Sequence, residues 1–145
     1  MGKPAATKGG GKCTSTPDVC HVPAPPPPAG PGGVPSTFLN VGTCNSTDKA
    51  TTKVLFKKKG VCVENSEIPS SRGDEAGCSN LPTPKGLMST KNMAKVVFKS
   101  HSSKVKAEGK GVVTHMATTA HNGSGNMNAP VGKHSTPSQT KILVG

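Results

Sequence analysis

Apolar residues are sparse along this chain and gather in short runs beside lysine. Lys53-Val54-Leu55-Phe56-Lys57 is a short β-prone run; Lys58-Lys59-Gly60 and then Val61-Cys62-Val63-Glu64 follow. This predicts a strand, a glycine-containing turn and a second strand. The unit recurs as Lys104-Val105-Lys106-Ala107, Glu108-Gly109-Lys110 and Val112-Val113-Thr114. Lys95-Val96-Val97-Phe98-Lys99 and Thr140-Lys141-Ile142-Leu143-Val144 are further strand candidates. Lysine followed by Val or Ile thus recurs at 53, 95, 104 and 141 as an imperfect internal repeat, too unevenly spaced for a solenoid. No apolar stripe at helical spacing appears, which argues against a helical bundle.

Between these runs lie long polar stretches, Ile68–Ser89 and His115–Ser138, expected as loops. Residues 1–15 begin polar and glycine-rich and are expected to form a flexible arm, with 16–145 as a single domain. Residues 17–35 are proline-rich. Proline fixes φ and lacks an N–H, so this segment is expected to run extended over a surface rather than inside a sheet.

Composition narrows the class. Leu, Ile, Val and Phe together make 24 of 145 residues, Trp and Tyr are absent, and Gly (18) and Pro (14) are abundant. A large aliphatic–aromatic core is therefore excluded. The chain is either disordered or a small β structure held by a staple, usually a metal or disulfides. Val54, Phe56, Val97, Phe98, Ile142 and Val144 are the candidates for what interior or apolar base there is. No run approaches a transmembrane span, and no export signal is visible at Met1-Gly2-Lys3-Pro4. The chain is expected to be made in the cytoplasm, without a signal peptide.

Five Cys (13, 20, 44, 62, 78) and five His (21, 101, 115, 121, 134) carry what chemistry there is. No Cys-x-x-Cys pair exists, which excludes the usual zinc-finger and thioredoxin spacings. An odd number of cysteines argues against a complete disulfide framework. Cys62, in a predicted strand, reads as a small buried hydrophobe, and the states of Cys13, Cys44 and Cys78 stay open. His115, His121 and His134 lie among Gly, Asn and Pro that allow sharp turns, and imidazole with thiolate suits tetrahedral zinc. Acidic residues number seven, with no Gly-x-Ser-x-Gly elbow and no complete phosphate loop, so no catalytic residue is assigned and no enzyme is expected. The net charge of +11 attracts anions, but the near-absence of aromatics removes the usual nucleic-acid stacking platforms.

Five segments in order give the chain a family resemblance. Pro17-Asp18-Val19-Cys20 with Val34-Pro35 and Asn40 resembles the opening of PAAR-like spike-tip proteins. Ser71-Arg72-Gly73-Asp74-Glu75-Ala76-Gly77, Val105-Lys106-Ala107-Glu108-Gly109-Lys110, Thr119-Ala120-His121-Asn122 and Pro137-Ser138-Gln139-Thr140-Lys141 resemble further elements of that family. The resemblance implies a mainly β, small conical structure of short hairpins with pseudo-three-fold character and long loops, its pointed apex stapled by zinc. It implies three His and one Cys as ligands: Cys20 and His121 from matching elements, His115 and His134 from proximity, with His21 or His101 as substitutes. The implied role is to cap and sharpen the trimeric VgrG-like spike of a type VI secretion or related contractile injection apparatus. One chain would sit on each trimer, with possible effector cargo and transient contact with the target membrane on expulsion into the target cell. No toxin segment is expected after Gly145. The competing expectations are a disordered basic chain binding nucleic acid or another polyanion, and a small metal-dependent hydrolase.

Overall fold

The computed structural model describes residues 2–22, 34–74, 89, 93–123 and 126–145. Its largest element is an antiparallel sheet in the order β3-β2-β11-β10-β7-β6. The strands are β2 (Lys12–Val22), β3 (Val34–Thr43), β6 (Glu67–Ile68), β7 (Val96–Phe98), β10 (Thr118–Gly123) and β11 (Met127–Thr136). Three two-stranded ribbons complete it. They pair β1 (Lys3–Pro4) with β12 (Leu143–Val144), β4 (Leu55–Phe56) with β5 (Lys59–Gly60), and β8 (Lys106–Ala107) with β9 (Lys110–Gly111). The mainly β fold expected from the sequence is the fold observed.

The pseudo-three-fold character has a hydrogen-bonded basis. Each ribbon feeds a three-residue segment: Ala5–Thr7, Val61–Val63 and Val112–Thr114. These bridge one another in a closed cycle, Ala5 to Thr114, Thr7 to Val61 and Val63 to Val112. The N–H of Ala6 donates to the carbonyl of Val113 (2.8 Å), that of Val113 to Cys62 (2.9 Å), and that of Cys62 to Ala6 (2.9 Å). A second cycle surrounds it, with His115 donating to Pro4, Lys8 to Gly60 and Glu64 to Gly111. The ring therefore leaves no open sheet edge at its centre. Side chains at equivalent places pack together: Ala5, Val61 and Val112; Val54, Val105 and Ile142; Phe56, Ala107 and Val144. A second cluster, beneath the large sheet, holds Ala6, Cys13, Cys44, Cys62, Ile68, Val96, Phe98, Val113 and Ala117. The sequence-level core candidates thus divide, Val54, Phe56, Ile142 and Val144 in the ring cluster and Phe98 in the other, while Val97 is half-buried.

Several expectations are corrected. Residues near the N-terminus do not stand off as an arm, because Ala5, Ala6 and Thr7 are buried and supply one third of the ring. Small residues read as linker in the sequence, yet small residues suit the close approach of three segments around one axis. Pro17 and Pro35 lie in strands. Pro17 falls in the register break between Ser15 and Asp18, and Pro35 on the outer strand β3, the two places where a sheet tolerates proline. The Thr16–Pro17 peptide bond is cis. Residues 23–33 of the proline-rich run, Glu75–Gly77 and Cys78 lie outside the described residues. The stretch 115–138 is mostly sheet, since β10 and β11 bury Thr, Asn and His where an apolar alternation was sought.

Both predicted hairpins form; the second turns at its expected glycine, Gly109, while the first turns before Gly60, earlier than expected. The turn residues are Lys57-Lys58 (φ 53° and 63°) and Glu108-Gly109 (φ 51° and 80°), both left-handed pairs of the two-residue hairpin type. Lys58 occupies the place that Gly109 takes in the second ribbon. Lys58→Gly is therefore expected to stabilise the domain by about 1 kcal/mol, by relieving a left-handed non-glycine residue. Chemical denaturation would read this as a raised midpoint, and a lowered midpoint would contradict the turn geometry.

Candidate metal centre

Two buried polar clusters lie on the large sheet, and each is built by its register. In the first, Cys13 on β2 and His134 on β11 are direct cross-strand partners. Cys44 opens the short 3-10 turn Cys44–Ser46 after β3, and its N–H donates to the Gly11 carbonyl at 3.1 Å. The Sγ atoms of Cys13 and Cys44 and a ring nitrogen of His134 lie within 4.8 Å of one another, and all three residues are fully buried. The His115 ring stands edge-on to His134 with centroids 5.7 Å apart. The backbone fixes His134 firmly, its N–H donating to Ala117 and its carbonyl accepting from Met116.

Several polar nitrogens and oxygens of this cluster lack partners. Both ring nitrogens of His134, Nδ1 of His115 and Oγ of Ser138 are buried without a hydrogen bond. Each such orphan costs about 1–3 kcal/mol. Burial, and then the neighbouring His115, bring the His134 pKa down to about 4, so its imidazole is neutral at pH 7. The Cys13 thiol first, and burial after it, push the Cys44 thiol well above its ordinary range, while Cys62 on its other side favours the thiolate. Cys62 is itself pushed up by Cys44 and by burial, and its thiol lies 3.8 Å from Thr47 Oγ1.

The second cluster satisfies itself. Asp18 and Cys20 from β2 meet Asp74 from the turn after Arg72, and all three are fully buried. Three amides surround the carboxylates. Asn122 Nδ2 donates to Asp18 (2.5 Å) and to Asp74; Asn128 Nδ2 donates to Asp18 and to the Val19 carbonyl (2.9 Å); Asn40 Nδ2 donates to Asp18 (3.1 Å). The Asn122 carbonyl accepts from the Ala94 N–H, and the Met93 N–H donates to Asp74. His121 Nδ1 lies 2.6 Å from Asn40 Oδ1 and Nε2 lies 3.0 Å from Thr119 Oγ1. With Asn40 Nδ2 given to Asp18, its Oδ1 is an acceptor, so Nδ1 carries the ring proton and Nε2 accepts from Thr119. Gly73 makes the turn that delivers Asp74. Its φ is +112°, and a Cβ there would run into the Leu39 carbonyl.

The four ligands expected from the resemblance are thus divided. His115 and His134 are together in the first cluster; Cys20 and His121 belong to the second. His101 is exposed, 3.6 Å from Glu64, and His21 lies in β2. Cys13 and Cys44 were missed as ligand candidates. Only their joint burial beside His134 marks them out, and nothing in their spacing does.

Titration of the metal-free chain tests this placement. His121 is lowered by burial from 6.5 to about 4, and Asp18 is raised by burial from 3.8 to about 6. As pH falls from 6.5 toward 4, the unfolded chain takes up a histidine proton that the folded chain refuses, and stability is lost. Over about pH 6 to 4 the folded Asp18 gains its proton first, and stability rises. These two offset one another, leaving His134 uncompensated. Denaturation midpoints taken between pH 7 and 4 are expected to fall by about 1.4 kcal/mol of stability per pH unit below 6. A flat profile would contradict the burial of His134.

A pseudo-three-fold ring of β ribbons backed by buried Cys–His and Asp–Asn clusters defines a small β domain with unused metal-ligand capacity. The chain belongs to the family described as the toxin PAAR-like domain, which it matches over residues 11–130. The match includes Cys13, Cys44 and His115, and His134 follows four residues beyond it. The chain is similar to the DNase toxin Tse7 of Pseudomonas aeruginosa, at 40% identity over 107 residues. That alignment covers 73% of this chain and 27% of Tse7, so the chain spans about a quarter of its relative's length. No solved structure matches. Residues that carry the family resemblance, Asp18, Cys20, Asn40, Asp74, His121 and Asn122, converge in the second cluster.

Proposed function

We propose that this domain caps the trimeric spike of a type VI secretion or related contractile injection apparatus, one chain to each trimer. The observation that supports it is the closed cycle of three equivalent segments, which gives a single chain a face of approximate three-fold symmetry. A trimer ends in three identical strands' worth of contacts, and one asymmetric chain satisfies all three only if it repeats its own geometry. At equivalent ribbon positions Leu55 and Leu143 are exposed, with Lys106 at the third. Exposed leucines related in this way suit a partner surface better than solvent. In this reading the tip is sharpened for puncture and expelled into the target cell with its cargo, and the metal that braces it is zinc.

The test is stoichiometry. The chain mixed with the trimeric spike protein of its own apparatus is expected to form a complex of one chain per trimer by light scattering or native mass spectrometry. Leu55→Asp together with Leu143→Asp is expected to weaken it at least tenfold while leaving the domain folded. A three-to-three complex, or tight binding by the double variant, would overturn this reading.

A second reading comes from Tse7, which is a DNase toxin. We favour a non-catalytic role for the described domain, because its buried carboxylates are bound by amides and sit away from solvent. Supercoiled plasmid incubated with the chain and magnesium is expected to stay uncut. Nicking that Asp18→Asn abolishes would establish the nuclease instead.

A further inference from the structure

We infer that Cys13, Cys44 and His134, closed by His115, form a buried two-thiolate metal site of the zinc class, in place of the one-thiolate set of Cys20, His115, His121 and His134. Three observations carry it. The three donor atoms already lie within 4.8 Å of one another, and ligand atoms around one tetrahedral zinc lie roughly 3–4 Å apart. The imidazole of His134 has both nitrogens buried and unpartnered, and so does Nδ1 of His115. Such atoms are rare in a native interior unless an ion or water takes them up. Cys20 and His121, by contrast, are engaged in the Asp–Asn network, where both His121 nitrogens have partners.

The charges agree with this assignment. On binding a divalent ion, Cys13 and Cys44 each release one proton to solvent, and two thiolates with two neutral imidazoles leave the site electrically neutral. A neutral complex is what a fully buried position tolerates, whereas one thiolate with three imidazoles leaves an uncompensated positive charge. Two thiolates and two imidazoles also favour zinc over magnesium or calcium, which take oxygen ligands. Cys62 is not a ligand here. It is a buried neighbour in the same cluster with its thiol 3.8 Å from Thr47 Oγ1, and such outer residues help to orient a ligand.

The site also joins several parts of the fold. Cys13 and His134 belong to neighbouring strands of the large sheet, Cys44 to the turn after β3, and His115 to the segment that leaves the three-fold ring. An ion here therefore ties the sheet to the ring.

Native mass spectrometry of the full chain with added zinc tests the site. One ion per chain is expected, with two protons released to solution when zinc binding is followed by calorimetry in buffers of different ionisation enthalpy, against one proton for the single-thiolate set. Cobalt substitution adds a spectroscopic readout. The thiolate-to-cobalt charge-transfer absorption is expected to fall by half in Cys13→Ser or Cys44→Ser and to remain unchanged in Cys20→Ser. His134→Ala is expected to weaken binding by at least a hundredfold, and His121→Gln less than threefold. Absorption lost in Cys20→Ser but kept in Cys44→Ser, displacement of a single proton, or a folded wild-type chain that binds no zinc would each overturn the proposal. The proton count needs no variant, so it stands even where a serine variant fails to fold. Failure here leaves the one-to-one-trimer test untouched, because that test rests on the ring.

Discussion

Asn122→Asp is expected to unfold the domain at neutral pH and to be partly rescued by acid. The Asn122 amide donates to both Asp18 and Asp74 inside a cluster with no solvent exposure. The substitution changes the side chain's size very little, so packing is spared. It removes two hydrogen bonds to charged groups, each worth about 1.5–3 kcal/mol, and puts a third carboxyl among two others. The sum is comparable to the roughly 5–15 kcal/mol that holds a domain of this kind together. Burial and the neighbouring carboxylates raise the pKa of the introduced group. The fold is therefore penalised above that raised value, and stability returns as pH falls through it. Asn122 has a φ of 61°, so Asn122→Gly separates the backbone from the side chain, keeping the left-handed turn and losing the bonds. Thermal unfolding at pH 7.5 and 5 decides the matter. An Asp variant as stable as the wild type at pH 7.5, or one whose deficit relative to the wild type is no smaller at pH 5, would contradict the network.

Ile68→Ala is expected to cost about 2–5 kcal/mol and to loosen metal binding with it. Among the described residues Ile68 heads the fully buried side chains by volume, and it shares a cluster with Cys13, Cys44, Val96 and Phe98. Its Cδ1 and the Val96 Cγ2 crowd Gly42, where a Cβ would meet them at 3.2 and 2.8 Å, so the space is tightly filled. Removing three carbons from so small a core leaves a cavity that short strands cannot close. Gly42 pairs with Cys13 across β2 and β3, and Cys44 follows two residues later. Slack there is felt at both thiols, and zinc affinity should fall by at least tenfold although Ile68 touches no ion. Ile68→Val, with one methyl fewer, should cost about 0.5–1.5 kcal/mol and spare the affinity. Equal zinc affinity in the Ala variant and the wild type would separate the core from the site.

The ribbons around Phe56 and Ala107 were legible because they follow local rules: a β-prone run, a tight turn, a second run. The turn at Glu108-Gly109 was legible too, whereas the first was misplaced toward Gly60, since Lys57-Lys58 adopts a left-handed conformation that sequence assigns to Gly or Asn. Strands β10 and β11 were missed for a different reason. Many of their buried positions are polar, among them Thr119, His121, Asn122, Asn128 and His134, so the apolar alternation that marks a half-buried strand is absent. Partners far along the chain make those burials tolerable, as Asp18 does for Asn122 and Asn128.

The sequence alone determined the class. Too few apolar residues for a large core, β-prone runs repeated beside lysine, and cysteines without disulfide arithmetic leave a small β domain in need of another staple. The family motifs carried that to the PAAR-like family. The tertiary structure alone decided which residues meet. It placed Ala5-Ala6-Thr7 in the ring, gathered the motif residues Asp18, Asp74 and Asn122 into a self-satisfied cluster, and set Cys13 and Cys44 against His134. The physical reason is that ring closure and cross-strand register are long-range: Cys13 and His134 are direct partners although 121 positions separate them. Residue type states what a side chain can bind, and register decides what it finds there.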